Sequence, residues 1–227
     1  MALLALIVAG ACGGGAPTTT PDLPATIQKS AERVSNAKTL RFVLAHERGT
    51  TALLPGVVAT RFAGQVAVPD RAQITVNAQA VQFGTALEMK IVVDGDRGFI
   101  SDPVSGAWQS VPALYLPFNV RGFGETLAGI ARAVESPTLS TTASGTVNGR
   151  RVVVFTGALK SESLTGLIST ATTGKRVNAT LTVDYESGEL RTAVLAGQVT
   201  DTDAPDVVRV LTVSDFDKPV EIVVPSA

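Results

Sequence analysis

Arg71-Ala72-Gln73-Ile74-Thr75-Val76-Asn77-Ala78-Gln79 is the stretch that decides how this chain folds. Ala72, Ile74, Val76 and Ala78 alternate with Arg71, Gln73, Thr75, Asn77 and Gln79, the period of two of a half-buried strand. Pro69-Asp70 stands before it and Phe83-Gly84 after it, so the chain is expected to reverse on both sides. Upstream, Val58, Thr60, Phe62, Gly64, Val66 and Val68 make one face of a long strand, against Arg61 and Gln65. Before that, Leu40, Phe42 and Leu44 alternate with Arg41, Val43 and Ala45, and His46-Glu47-Arg48-Gly49 opens a loop that runs to Pro55-Gly56. Downstream, Leu87, Met89, Ile91 and Val93 alternate with Glu88 and Lys90 and end on the hairpin signal Asp94-Gly95-Asp96. Residues 97–101 and 107–111 complete a meander, which implies an antiparallel sheet with one covered and one wet face.

Two helices interrupt this rhythm. Residues 26–37 place Ile27, Ala31 and Val34 on one narrow stripe, with Asp22 as N-cap and Pro24 in the first turn. Residues 122–134 place Phe123, Leu127, Ile130 and Val134 on another, and Ser136-Pro137 ends that helix. The rhythm then returns: strands are expected at 139–147 and 152–158 around an Asn148-Gly149 turn, and at 177–185, 190–200, 207–216 and 220–224. A short helix is expected at 161–170, carrying Leu164, Leu167 and Ile168. Many consecutive antiparallel strands and two or three amphipathic helices give an α+β fold. A sheet this long curls, so the expectation is a half-barrel with the helices on its concave side.

Composition narrows the function. Hydrophobic residues are 45% and charged residues 17%, enough for one well-cored domain and too apolar for a disordered chain. The net charge is −1 with no basic stripe, so neither nucleic acid nor anionic lipid has an electrostatic hold. Aromatics are only 5% while Ala, Val, Thr and Gly abound, which fits either tight β packing or an interior left partly unfilled. A single Cys provides no disulfide and no zinc site, and no metal or cofactor is implied.

That Cys is Cys12, behind an uncharged run from Ala2 to Ala11 and ahead of Gly13-Gly14-Gly15 and a Pro/Thr-rich strip. The run is too short to span a bilayer, which takes roughly 20 residues, but it fits the apolar core of an export signal. Val8-Ala9-Gly10-Ala11-Cys12 resembles the lipobox of bacterial lipoproteins, which implies cleavage before Cys12 and acylation of its thiol. Residues 1–11 are then a signal peptide, 12–24 an acylated tether and 25–225 the folded domain. No Lys or Arg precedes the run, so translation is expected to begin upstream of Met1.

The order of elements resembles the LppX/LprA/LprF/LprG lipoproteins of actinobacterial envelopes. It rests on the Cys and tether, Lys29-Ser30-Ala31 in the first helix, the Val93-Asp94-Gly95 hairpin, Trp108 and the Gly122-Phe123-Gly124 step, and spans about 21–225. The resemblance implies a curved half-barrel similar to the LolA/LolB carriers, with a hydrophobic cavity that holds lipid or glycolipid acyl chains. It also implies anchorage on the extracytoplasmic face of the cell membrane, with an envelope transporter as a candidate partner.

A cavity for acyl chains needs apolar walls with small side chains where the chains thread. The inward faces supply Phe62, Val66, Ile74, Val76, Leu87, Met89 and Ile91, with gaps at Gly64, Ala72 and Ala78. Phe123 and Leu127 add the helix side, and Leu114, Tyr115, Leu116 and Phe118 form a candidate mouth. The alternative is a non-catalytic envelope scaffold or sensor domain whose core is filled. Catalysis finds no support. The one His, His46, reads as a solvated loop residue, there is no Gly-x-Ser-x-Gly elbow, and the Asp94/Asp96 and Asp201/Asp203 pairs read as turn residues.

Overall fold

The computed structural model describes residues 21–116, 120–140, 145–168 and 170–226. Cys12 and Phe118 therefore lie outside the described residues. The first helix, α1 (Leu23–Ser35), starts where Asp22 Oδ1 accepts the Ala25 N–H at 3.2 Å, with Pro24 in the first turn. Its buried side holds Thr26, Ser30, Ala31 and Val34, while Ile27 is half-buried.

Among the described residues, eleven strands form one continuous path. β1 (Thr39–Arg48), β3 (Val57–Ala67), β4 (Arg71–Ala80), β5 (Thr85–Asp94), β6 (Arg97–Ser101) and β7 (Trp108–Pro112) make the first half. The short β2 (Thr51–Leu54) pairs with β3 off that path. A 3-10 turn (Ala113–Tyr115) leads to the second helix, α2 (Phe123–Ala133). β8 (Glu135–Leu139), β9 (Gly145–Val147), β10 (Arg150–Lys160), β11 (Arg176–Asp184), β12 (Leu190–Ala196) and β13 (Val208–Ser214) make the second half. The spatial order is β7-β6-β5-β4-β3-β1-β13-β12-β11-β10-β8, with β9 paired to β10. Every pairing is antiparallel, and β1 joins the halves by pairing with both β3 and β13. The edge strands β7 and β8 do not pair with each other, so the sheet curls without closing. One hydrophobic core joins α1, α2 and strands from both halves, from Ile91 on β5 to Phe155 and Leu159 on β10. The fold is thus α+β, a curved antiparallel sheet with helices on its concave side.

Five sequence expectations are corrected. His46 does not open a loop: β1 runs on to Arg48, because β13 continues pairing opposite it through Arg209 and Val208. The expected face of β3 breaks at Thr60, where the register with β4 shifts, so Ala59 and Phe62 face inward while Val58 and Thr60 do not. Residues 139–147 are not one strand: β8 begins at Glu135, and its residues 135–139 precede the separate β9. The expected helix at 161–170 is a 3-10 turn (Ser161–Leu164). Residues 220–224 form no strand.

Instead the C-terminal segment crosses the convex face as a strap. Thr39 Oγ1 donates to the Lys218 carbonyl at 2.7 Å, Gln65 Nε2 to the Glu221 carbonyl, and Arg71 Nη2 to the Ile222 carbonyl at 3.1 Å. Ile222 closes a second, small core with Val92 and Phe99, against which Trp108, Val220 and Val224 pack.

Candidate functional site

The concave wall is built by register. Leu44 on β1 faces Phe62 on β3, Phe62 faces Val76 on β4, and Val76 faces Met89 on β5, so one row of apolar side chains crosses four strands. The parallel row below it is Val66, Ala72 and Val93, and Ile74 and Ile91 pair between the two. Helix α2 presses on this wall through Phe123, whose ring centroid lies 4.8 Å from that of Phe42.

Phe62, Val66, Ile74, Val76, Ile91, Phe123 and Leu127 are each 6% exposed or less. Ala78 is buried between Ala59 on β3 and Leu87 on β5. Leu87 and Met89 are only half-buried, so the wall emerges from the core along the first part of β5. The loop residues divide. Leu116 turns inward into the notch left by Gly98, where a Cβ would sit 2.7 Å from Leu116 Cδ1. Leu114 and Tyr115 point outward, 78% and 74% exposed. They also lie at the end of the sheet opposite Leu87: Ala113 N donates to the Asp96 carbonyl in the β5–β6 turn, whereas Leu87 follows the β4–β5 turn. The structure therefore does not bring Leu114 and Tyr115 together with Leu87 and Met89.

A polar cluster within the concave side escaped the sequence reading. Arg209 falls in the same alternation as Leu211 and Val213, faces His46 across β1–β13, and its side chain is fully buried. Its Nη2 meets Asp203 Oδ1 at 2.6 Å, and Nε and Nη2 both donate to Thr51 Oγ1, at 3.1 and 2.9 Å. Asp203 Oδ2 accepts the N–H groups of Val199 and Thr200 at 2.7 and 3.0 Å. Arginine only donates, so both lone pairs of Thr51 Oγ1 are taken and its proton must go to His46 Nε2, 2.8 Å away. His46 Nδ1 then carries the ring proton and donates to the Thr60 carbonyl at 2.9 Å. This fixes His46 as one neutral tautomer.

Burial lowers the His46 pKa below its ordinary value; the Thr60 bond offsets this in part, and the nearby Arg209 charge lowers it further. For Asp203, burial would raise the pKa, but the bonds from Arg209 and from the Thr200 and Val199 N–H groups outweigh it and hold the carboxyl ionised. His46 is therefore a strand residue locked in a network, not a solvated one, and its hydrogen-bonding capacity is fully used. The signal for the cluster was an arginine in a buried strand register, six residues after an Asp.

Asp184 makes a second buried carboxylate, accepting from Arg150 at 2.9 Å, Arg191 at 3.1 Å and the Ser187 N–H at 2.9 Å. Burial opposes its ionisation, but these bonds prevail and keep it far below the usual carboxylate range. Among the described residues, no group of three His, Cys, Asp or Glu side chains could hold a metal ion. No described helix is long and apolar enough to cross a membrane.

An open, curled antiparallel sheet with helices inside its curve is the architecture of a known class of envelope lipoproteins. A family model described as LppX_LprAFG lipoprotein matches residues 22–222, and the chain belongs to this family. LprF from Mycobacterium bovis superposes with a TM-score of 0.67 at 16% identity, covering 92% of this chain and 99% of that one. Lipoprotein LppX from Mycobacterium tuberculosis superposes with a TM-score of 0.57 at 16% identity, covering 88% and 97%. A comparison with curated protein sequences finds no match.

Proposed function

We propose that this protein is an acylated envelope lipoprotein that takes lipid or glycolipid acyl chains into its concave side and carries them within the envelope. Residues 1–11 serve as the export signal, Cys12 bears the anchor, 12–24 form the tether, and 25–225 bind the lipid at the outer face of the cell membrane. The observation that carries this reading is the wall itself. Its rows of apolar side chains cross the strands, one of them from β1 to β5, and thin at Ala59, Ala72 and Ala78 in the rows beside it, on the fold of a lipoprotein family. Phe62, Val66, Ile74, Val76, Ile91, Phe123 and Leu127 line the chamber, and Leu87 and Met89 lead into it.

In the described conformation these residues are closed over one another, so uptake requires the helical side to lift. Its seams suit that motion. Gly124 meets the Val34 carbonyl, Gly157 meets Val134, and Gly166 meets Thr126. Backbone lies against neighbour at these three seams with no interlocking side chain on the glycine side. The same closed packing favours the second reading, a scaffold or sensor domain that holds no lipid.

Organic extraction of the purified protein followed by mass spectrometry separates the two. Carriage predicts about one lipid per protein, reduced by Ala78→Trp, while extracts without lipid leave the scaffold.

A further inference from the structure

Because the sheet is antiparallel throughout, its turns alternate between two ends, and the β4–β5 turn (81–84) and β6–β7 turn (102–107) share one end. Each presents large apolar side chains to solvent: Val81 and Phe83 are 61% and 78% exposed, and Val104 is 86% exposed. The tips are not level: Ser101 Oγ at the end of β6 accepts the Lys90 N–H at 2.8 Å, so 102–107 lies beside Glu88 and Lys90 and the 81–84 tip projects beyond it. None of the three exposed apolar residues joins the core. We propose that the 81–84 tip, the leading part of this corner, enters a lipid bilayer and brings Leu87 and Met89 to the membrane face, while 103–106 stays behind it at the level of Glu88 and Lys90. This rests on the carrier reading for its purpose but on the tips alone for its geometry.

Three features fit a bilayer as the occupant. Neither 81–84 nor 103–106 contains a charged residue. Backbone N–H groups at both tips have partners, as a segment leaving water requires. Val81 N donates to the Gly56 carbonyl at 2.8 Å and Phe83 N to the Ala80 carbonyl at 3.3 Å. In the other tip, Asp102 Oδ1 accepts the N–H groups of Val104 and Ser105 at 3.0 and 2.6 Å, and the Asp102 carbonyl accepts from Gly106 at 2.9 Å. The hydrogen bond from the Ser105 N–H leads those that lower the Asp102 pKa, so the base of this tip stays ionised and keeps it on the water side. Behind the 81–84 tip the next charges along β5 are Glu88 and Lys90, which pair with each other at 3.7 Å and flank 103–106; Glu88 stands roughly 10 Å behind Thr85 by strand rise.

The opposite end lacks this character. Its exposed Leu114 and Tyr115 sit beside Asp96, which holds Arg121 at 2.9 Å, and Asp94, which holds Arg97 at 3.3 Å. Charge complementarity therefore selects the 81–84 corner for the apolar phase. The half-buried inner-wall positions Leu87 and Met89 begin directly behind that corner, so an acyl chain leaving the bilayer there meets the wall without crossing water.

Full-length Phe83→Trp and Leu114→Trp, each also carrying Trp108→Phe, reconstituted in phosphatidylcholine vesicles with brominated acyl chains, test this. Entry predicts quenching of the tryptophan at 83 at least twofold stronger than of that at 114. Equal quenching, stronger quenching at 114, or a tryptophan at 83 shielded by self-association without vesicles overturns the proposal. Parallel lipid extraction keeps the two readings apart: quenching without bound lipid removes carriage and leaves docking, and bound lipid without quenching removes docking alone.

Discussion

The buried pair Arg209–Asp203 gives the sharpest quantitative test of the structure. Asp203→Asn keeps an oxygen for the Val199 and Thr200 N–H groups but turns an amide toward Arg209, which leaves a guanidinium charge in a site of 0% exposure. Removing one partner of a buried pair costs about 3–5 kcal/mol, chiefly because the other charge is stranded. At a urea dependence of about 2 kcal/mol per molar, the unfolding midpoint should fall by about 1.5–2.5 M. The double variant Asp203→Asn/Arg209→Met removes the stranded charge, so it should recover most of the loss and show a coupling of about 2 kcal/mol or more. Urea unfolding followed by far-ultraviolet circular dichroism measures all four corners of the cycle. A single-variant loss below about 1 kcal/mol, or a double variant no more stable than Asp203→Asn, would refute the assignment of a buried, charged pair. The pH dependence carries the same sign. The native Asp203 pKa lies below its ordinary 3.8, so its contribution is complete above that value and drains away as the pH falls through the native one; Asp203→Asn lacks this acid-dependent loss.

Other outcomes follow from separate parts of the molecule. His46 is held neutral with a pKa below its ordinary 6.5, so the unfolded chain binds a proton first and stability declines as pH drops below about 6.5; His46→Gln should flatten that slope in urea titrations between neutral and mildly acid pH. Gly157→Ala should cost about 1–3 kcal/mol, because its Cβ would press into Val134 and stand 2.7 Å from the Glu135 carbonyl, and thermal unfolding reads that loss. Ile222→Ala should cost about 2 kcal/mol and speed amide exchange at Val92 and Phe99, whereas an unchanged exchange pattern would mean that the strap does not cover them.

Much of the fold was legible wherever one face of a strand is wet. The alternation at 72–78 placed β4 and its buried face correctly, and that at 177–183 did the same for β11. The reading failed where a residue's partner is remote in sequence. β2 contains only four residues and exists because β3 supplies its ladder. Thr60 alternates correctly with its neighbours, yet one extra residue against β4 reverses its side. Residues 220–224 carry a strand's alternation, but Gln65, Gln73 and Arg71 bind their backbone through side chains, so the pattern packs without joining the ladder. For the candidate site, the wall residues followed from the same parity and are found side by side. The position of the expected mouth did not follow, because the sequence does not say at which end of a curled sheet a loop will stand: Leu114 and the wall residue Leu87 lie at opposite ends.

The strap has a mechanical meaning. It runs across β1, β3 and β4 to the β5–β6 corner, tied by hydrogen bonds to Thr39, Gln65, Arg71 and Gln73 and seated on Val92 and Phe99, and so it acts like a hoop on staves. Staves bound from outside cannot fan apart, so a change of interior volume is forced onto the unhooped side, where α2 and residues 161–168 lie. Slow amide exchange in β3 to β5 beside faster exchange in α2 would be the signature of such one-sided compliance.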